Sequence, residues 1–302
     1  MNPRRISTLK ILLCLFLVYL SWGSCFISIK FGLESFPPFL LCGLRMSSAG
    51  LLLYGVTCLR GERARPTRAD WTQVMILGLF MVFISSGCLS KGQESVPSGT
   101  AAMISGTVPL WMVMGGWLLL REPRPTRLQF TGLGLGTLGL LALGTQQGLS
   151  GVTSPWGLLL LVVSALGWVA GSFYSKRHAG ETRLSVMRNS ALIMFAGGVQ
   201  ALLAGWLFGE RVNWPAVTPV SGAALAALIL LGAIVAYTCY FWLLMNTRTA
   251  VAVSYEYVNP VIGEFLGWLM AGEQEDRVVI LACCAVGGSV FFVVSGGRRG
   301  KL

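Results

Sequence analysis

The 35 ionic side chains of this chain gather in short clusters, and the runs between them stay apolar for about 17–25 residues at a time. That is the length an α-helix needs to cross a hydrocarbon layer ~30 Å thick. Ten such runs can be counted, roughly 11–29, 38–59, 71–90, 98–120, 128–145, 155–175, 184–208, 218–245, 249–271 and 278–296. Only 12% of the 302 residues are charged and 54% are hydrophobic, whereas soluble domains carry roughly 25% charged residues. A water-soluble fold of this size cannot cover so much apolar surface with polar groups. The expected fold is therefore all-α and integral to the membrane, with ten transmembrane helices and no room for a soluble catalytic domain. The first run follows Arg4, Arg5 and Lys10 as a signal peptide would, but its polar Ser21-Trp22-Gly23-Ser24 stretch and the nine runs behind it favour an uncleaved helix.

A net charge of +11 invites a nucleic-acid reading, and the distribution of the charge argues against it. With the N-terminus in the cytoplasm and ten crossings, the cytoplasmic segments hold 17 of the 23 basic residues and the opposite side holds four, Lys30, Lys91, Arg211 and Arg277. This is the positive-inside bias of a multi-pass membrane protein, with both termini cytoplasmic. The lipid bilayer is then the expected partner, and nucleic acid is not. The eight cysteines all lie in apolar runs without a CxxC, and the one histidine, His178, lies in a loop. Zinc and haem sites lack ligands, so no metal and no cofactor is expected.

Shifting the sequence by 151 residues lays span four on span nine. Ala101 meets Ala252, Pro109 meets Pro260, Gly116-Trp117-Leu118 meets Gly267-Trp268-Leu269, and Glu122 meets Glu273. A shift of 146 lays Leu20 on Leu166 and Lys30 on Lys176. The chain thus divides into two repeats, 1–150 and 151–302, each of five spans. An odd number of spans makes the second copy enter the membrane from the opposite face, the arrangement by which many secondary transporters build two half-sites around a midplane solute.

Trp22-Gly23-Ser24, the Pro37-Pro38 step leading to Gly43-Leu44-Arg45, Val96-Pro97-Ser98-Gly99 and Tyr255-Glu256-Tyr257-Val258-Asn259-Pro260 together resemble the EamA-type branch of the drug/metabolite transporter superfamily. The likeness is greatest to its YedA-like bacterial inner-membrane exporters and covers nearly the whole chain. It implies ten helices in a five-plus-five inverted repeat, and a central cavity lined by spans one, three, four, six, eight and nine. It also implies efflux of small metabolites such as amino acids. At Glu256 and Glu264 the chain departs from the small or apolar residues of such relatives.

Ionisable residues at membrane depth cost at least ~2.5–3.5 kcal/mol on insertion scales and mark functional positions by default. Four qualify: Arg45 and Glu264 in the outer halves of spans two and nine, and Arg188 and Glu256 in the cytoplasmic halves of spans seven and nine. Arg45–Glu264 and Arg188–Glu256 are candidate gate pairs, one near each mouth. Alternatively Arg45 binds a substrate carboxylate and one glutamate carries a coupling proton. Simple charge neutralisation, or an Arg188 that snorkels to the surface, are the structural alternatives. Trp22, Tyr237, Tyr240, Tyr255 and Asn259 lie well inside their spans, away from the interfacial belts where Trp and Tyr collect. Facing a cavity they suit an apolar or aromatic solute; facing a neighbouring helix they are packing. Pro109 and Pro260 each remove a backbone donor in mid-span, either bordering the site as gating elements or kinking the helix.

Gly134-x-Gly136-x-x-Gly139 satisfies a dinucleotide fingerprint but lies in an apolar span rather than after a strand. Gly132 and Gly136 favour close helix packing within the repeat. The reading is a secondary transporter exporting small organic solutes, amino acids or related compounds, across a bacterial inner membrane by alternating access. An uncoupled facilitator or channel is the first alternative. An integral-membrane enzyme acting on lipid is the second, and no convergent nucleophile, base or metal cluster supports it.

Overall fold

The computed structural model describes residues 8–96, 98–119, 121–147, 154–178, 180–259 and isolated positions between 261 and 292. Among them every regular element is helical: α1 Thr8–Gly23, α2 Cys25–Leu33, α3 Pro38–Leu59, α4 Arg68–Leu77, α5 Cys88–Gly92, α6 Ser98–Ser105, α7 Val108–Leu119, α8 Arg127–Gln147, α9 Pro155–Arg177, α10 Val186–Leu207, α11 Pro219–Ala227, α12 Ala236–Asn246 and the short α13 Thr249–Ala252. Gly78–Gly87 joins α4 to α5, and Leu228–Val235 joins α11 to α12, as wider π-helical turns. Helix starts follow their local chemistry. Pro38, Pro155 and Pro219 occupy first turns, where a missing N–H costs nothing. Thr67 and Asp70 close a capping box on α4.

Six helical stretches among the described residues are long and apolar enough to span a membrane: Thr8–Leu33, Pro38–Leu59, Arg68–Gly92, Pro155–Arg177, Val186–Leu207 and Pro219–Asn246. Two of the ten expected spans take another form. The expected fourth span is not one helix but α6 and α7, parted by a turn at Gly106 and Thr107. The expected ninth opens as α13 and breaks at Val253 and Ser254 before residues 255–259 resume the helix. The fifth is present as the 21-residue α8, and most of the ninth and tenth lie outside the described residues. The protein is a multi-pass membrane protein, and Leu9, Leu12, Leu13, Phe16 and Leu20 give α1 an exposed apolar stripe for lipid to cover.

The most extensive helix pair is α3 with α10, and glycine makes it possible. A β-carbon on Gly43 would stand 2.8 Å from the backbone nitrogen of Leu202, one on Gly50 2.6 Å from that of Phe195, and one on Gly198 2.4 Å from that of Ser47. Residue numbers rise on α3 as they fall on α10, so the helices run antiparallel. Lipid supplies no hydrophobic drive for helix association, and close backbone approach over small residues replaces it. Both ends of this pair are tied in the same manner. Gly61 and Gly209, at φ +78° and +75°, end α3 and α10 in the left-handed conformation that glycine adopts without steric cost. The next residues, Glu62 and Glu210, cap the partner helix. Glu62 accepts from the backbone N–H and hydroxyl of Ser185 at 3.1 and 2.8 Å, and Glu210 accepts from the N–H groups of Phe39 and Leu40 at 3.3 and 2.9 Å. Each carboxylate thereby meets the positive end of a helix dipole.

A charged central cavity

Beside the first π-helical segment lies a cavity of about 550 Å³, its mouth included. Its polar floor and walls carry Arg45 from α3, Ser85 and Ser86 from the first π-helical segment, Ser105 from the end of α6, Ser164 and Trp168 from α9, and Glu256 and Asn259 from the broken ninth span. The breaks in the fourth and ninth spans free the chain to bring backbone and polar groups to this depth, which a straight apolar helix does not.

Arg45 is 4% exposed, and its Nε and Nη1 have no hydrogen-bond partner among the described residues. Glu256 is 7% exposed, and its Oε2 accepts from the Asn259 amide at 3.4 Å, while the Asn259 Oδ1 is itself unpartnered. The Trp168 indole N–H is also free. No ion pair joins Arg45 to Glu256. Buried polar groups are nearly always paired, so four unpartnered donors and acceptors around one cavity describe a surface built for something that brings its own polar groups.

An aromatic cluster closes one side. Trp22 meets Tyr255 at 4.5 Å between ring centroids, Trp168 at 5.1 Å, Tyr240 at 5.3 Å and Tyr237 at 5.6 Å. Edge-on and tilted pairs of this kind add about 0.5–1.5 kcal/mol each beyond burial. The π-helical turns anchor the cluster. The Trp22 indole donates to the carbonyl of Gly232 at 3.0 Å, and the Tyr237 hydroxyl donates to that of Met81 at 3.1 Å. Met81 and Gly232 stand 151 residues apart, the repeat shift. So do Ser86 and Tyr237, whose hydroxyls meet at 3.1 Å. π-helical turns recur at functional sites because they re-aim backbone and side chains.

Of the residues expected to serve the pathway, the cavity brings together Trp22, Arg45, Tyr237, Tyr255, Glu256 and Asn259. Tyr240 stands behind them, its hydroxyl bonded to Ser172 at 2.7 Å. Pro109 is the second residue of α7, so it follows the helix break rather than kinking a continuous helix. Arg188 does not reach Glu256: it donates to Thr57, Cys58 and Ala64 and lies 4.9 Å from the Tyr54 ring, clamping the ends of α3 and α10. Glu264 and Pro260 lie outside the described residues. Gly136 packs inside the protein, where a β-carbon would stand 2.7 Å from the Tyr257 ring. No charge or motif in the sequence marks the four cavity serines or Trp168. Trp168 had a signal there, because the shift of 146 that lays Lys30 on Lys176 also lays Trp22 on Trp168.

A broken-helix bundle around a charged, aromatic-walled cavity defines a membrane transporter class, and comparison with known proteins identifies the family. The pattern of the EamA-like transporter family matches residues 9–145 and again 155–295, and the chain belongs to that family. It is 34% identical over 284 residues to the uncharacterized inner membrane transporter YedA of Escherichia coli, covering 93% of this chain and 90% of the relative. It is 25% identical over 297 residues to an S-adenosylmethionine/S-adenosylhomocysteine transporter of Chlamydia trachomatis, covering 95% and 88%. One solved crystal structure, 21% identical, superposes with a TM-score of 0.78 over 98% of this chain and all of that one, which supports the fold.

Proposed function

We propose that the chain is a secondary transporter that exports a small zwitterionic solute, an amino acid or a related compound, across a bacterial inner membrane by alternating access. The observation that carries this is the pairing of opposite charges in one cavity without a bond between them. Arg45 offers free guanidinium donors to a carboxylate, Glu256 accepts from an ammonium group, and the rings of Trp22, Tyr237 and Tyr255 face the solute's side chain. S-adenosylmethionine, for which one relative is named, is an amino acid with a further cationic sulfonium, and its chemistry suits the same set. Glu256 is also the carboxylate we assign to a coupling proton, since it faces the cavity with no basic partner.

The halves 1–150 and 151–302 form an inverted repeat in this reading, with both termini in the cytoplasm and ten crossings. The antiparallel register of α3 and α10 supports it. Each helix has 22 residues, and a shift of 148 carries one onto the other. The same shift exchanges the contact of Gly50 with Phe195 for that of Gly198 with Ser47. A two-fold axis that swaps antiparallel helices lies across them, hence in the membrane plane.

The test is reconstitution in liposomes with single amino acids imposed as gradients while lumenal pH is followed. Proton movement is expected to track one class of solute and to vanish in Glu256→Gln. Arg45→Ala is expected to raise the half-saturating concentration of carboxylate-bearing solutes roughly a hundredfold, as loss of a desolvated charge pair does. Solute flux with no proton movement makes the protein a facilitator. No saturable flux of any zwitterion, with turnover of lipid instead, overturns the transport reading.

A further inference from the structure

We propose that Glu122, Lys176 and Thr249 form a latch that holds one end of the pathway shut, and that this latch must part for the cavity to open there. The proposal rests on the alternating-access reading above. The three side chains converge on a single oxygen. The Lys176 ammonium donates to Glu122 Oε1 at 2.5 Å and to the Thr249 hydroxyl at 2.6 Å, and that hydroxyl donates to the same Oε1 at 2.5 Å. Hydrogen bonds to ionised partners are stronger than neutral ones. The two charged side chains are only 18% and 21% exposed, so water competes little for them.

Their place in the chain makes them a closure. Each lies on a segment that lines the cavity farther in: Glu122 beyond α7, whose Val108 faces the cavity; Lys176 on α9, eight residues past Trp168; Thr249 at the head of the segment carrying Tyr255 and Glu256. Eight helical residues span about 12 Å, so the latch lies a layer outside the aromatic cluster. No solute passes that end while all three segments are pinned together. Arg248 adds a bond to the Pro123 carbonyl at 3.2 Å between two of them.

The local backbone is shaped to deliver Glu122. Arg121 adopts φ +54°, a conformation disfavoured for a residue with a β-carbon. The Glu122 N–H returns to the Gly116 carbonyl at 3.0 Å, and a β-carbon on Gly116 would crowd the carboxylate at 3.1 Å. The other ion pair among the described residues, Lys91–Glu94, is a local i,i+3 contact with side chains about 40% exposed, and it ties no separate segments. The structure is therefore latched at the Lys176 end, which the charge distribution assigns to the cytoplasm.

The test places a reporter thiol in the cavity, Ser164→Cys in a chain whose native cysteines are replaced, and follows its reaction with a membrane-impermeant maleimide in right-side-out and inverted vesicles. Glu122→Gln and Lys176→Met are each expected to raise labelling from the Lys176 face by about tenfold or more, a typical allosteric shift. Labelling from the opposite face is expected to fall. The exchanged pair, Glu122→Lys with Lys176→Glu, is expected to return the slow rate, which separates a latch from a residue needed only for folding. Unchanged labelling in both single variants, an equal rise from both faces, or no recovery in the exchanged pair overturns the proposal. Labelling needs no solute, so failure here is distinct from failure of the transport reading, which flux measures.

Discussion

Replacing Gly50 with alanine tests the packing that holds the two halves together, and Gly55 on the same helix supplies the control. A β-carbon at Gly50 stands 2.6 Å from the Phe195 nitrogen and 2.7 Å from the Ala191 carbonyl oxygen; at Gly55 nothing lies within 4 Å. Ordinary contact begins near 3.4 Å, so α3 and α10 must part locally by about 0.8 Å. A radial gap of 0.5–1 Å forfeits roughly a quarter to a half of each dispersion contact it opens, and overpacking costs about 1–3 kcal/mol. Both substitutions share the gain of ~0.8–1.0 kcal/mol in helix propensity from glycine to alanine. The difference between them therefore isolates the steric term, and Gly50→Ala is expected to be about 1–3 kcal/mol less stable than Gly55→Ala. The assay is reversible unfolding in mixed micelles followed by far-UV circular dichroism. Gly198→Ala, 2.4 Å from the Ser47 nitrogen, is expected to behave like Gly50→Ala, and the double variant to lose less than the sum, because the first substitution has already opened the gap the second needs. Equal stability of Gly50→Ala and Gly55→Ala, or strict additivity of Gly50→Ala with Gly198→Ala, refutes the reasoning.

Two further outcomes follow from the ends of the same helix pair. Glu62→Gln and Glu210→Gln are each expected to cost about 0.3–1 kcal/mol through loss of charge at a helix N-terminus. The two costs should be of similar size in the same unfolding assay because each carboxylate meets a helix N-terminus with two hydrogen bonds, and a cost at one position alone counts against the shared device. Arg188→Met is expected to destabilise by about 1.5–3 kcal/mol, since it strips charged hydrogen bonds from Thr57 and Ala64. It should leave the half-saturating solute concentration unchanged, and a tenfold change there with unaltered stability returns Arg188 to the pathway.

The sequence carried the membrane fold in plain sight because lipid imposes a simple rule: long apolar runs, charges outside them, and basic residues gathered on one side. It also carried much of the cavity, since Arg45 and Glu256 are costly at their depth and have to be explained by something. What it did not carry were contacts between segments far apart in the chain. Glu122, Lys176 and Thr249 sit at three separate span ends, where the sequence ties Lys176 only to the orientation of the chain and to the repeat, not to the other two. Arg188 was paired with Glu256 by depth alone, and depth says nothing of which way a side chain points around its helix. The Gly-Glu steps at 61–62 and 209–210 were legible as a repeat, but their meaning as reciprocal caps needs the antiparallel neighbour that each one touches.

The correspondence between the halves is kept in the helix packing and capping and broken at the two charges of the cavity. The glycine crossings, the capping glutamates, the two π-helical turns and the Trp22–Trp168 pair all repeat. Arg45, carried by the shift of 148, falls on Ile193, and Glu256, carried back by 151, falls on Ser105. In the alternating-access reading proposed above, a scaffold that takes two mirrored shapes profits from matched devices at both ends, because an interaction broken at one end in one shape re-forms at the other end in the second. A solute with a carboxylate at one end and an ammonium at the other has no such symmetry. A cavity that repeated Arg45 alone would bury one cation in excess of Glu256, and one that repeated Glu256 alone one anion in excess of Arg45, at the cost that buried unpaired charge carries. In the zwitterion reading, one of each is the least charge that recognises the solute and leaves the occupied cavity neutral, so Arg45 and Glu256 are the two charged positions from which substrate selectivity is to be changed.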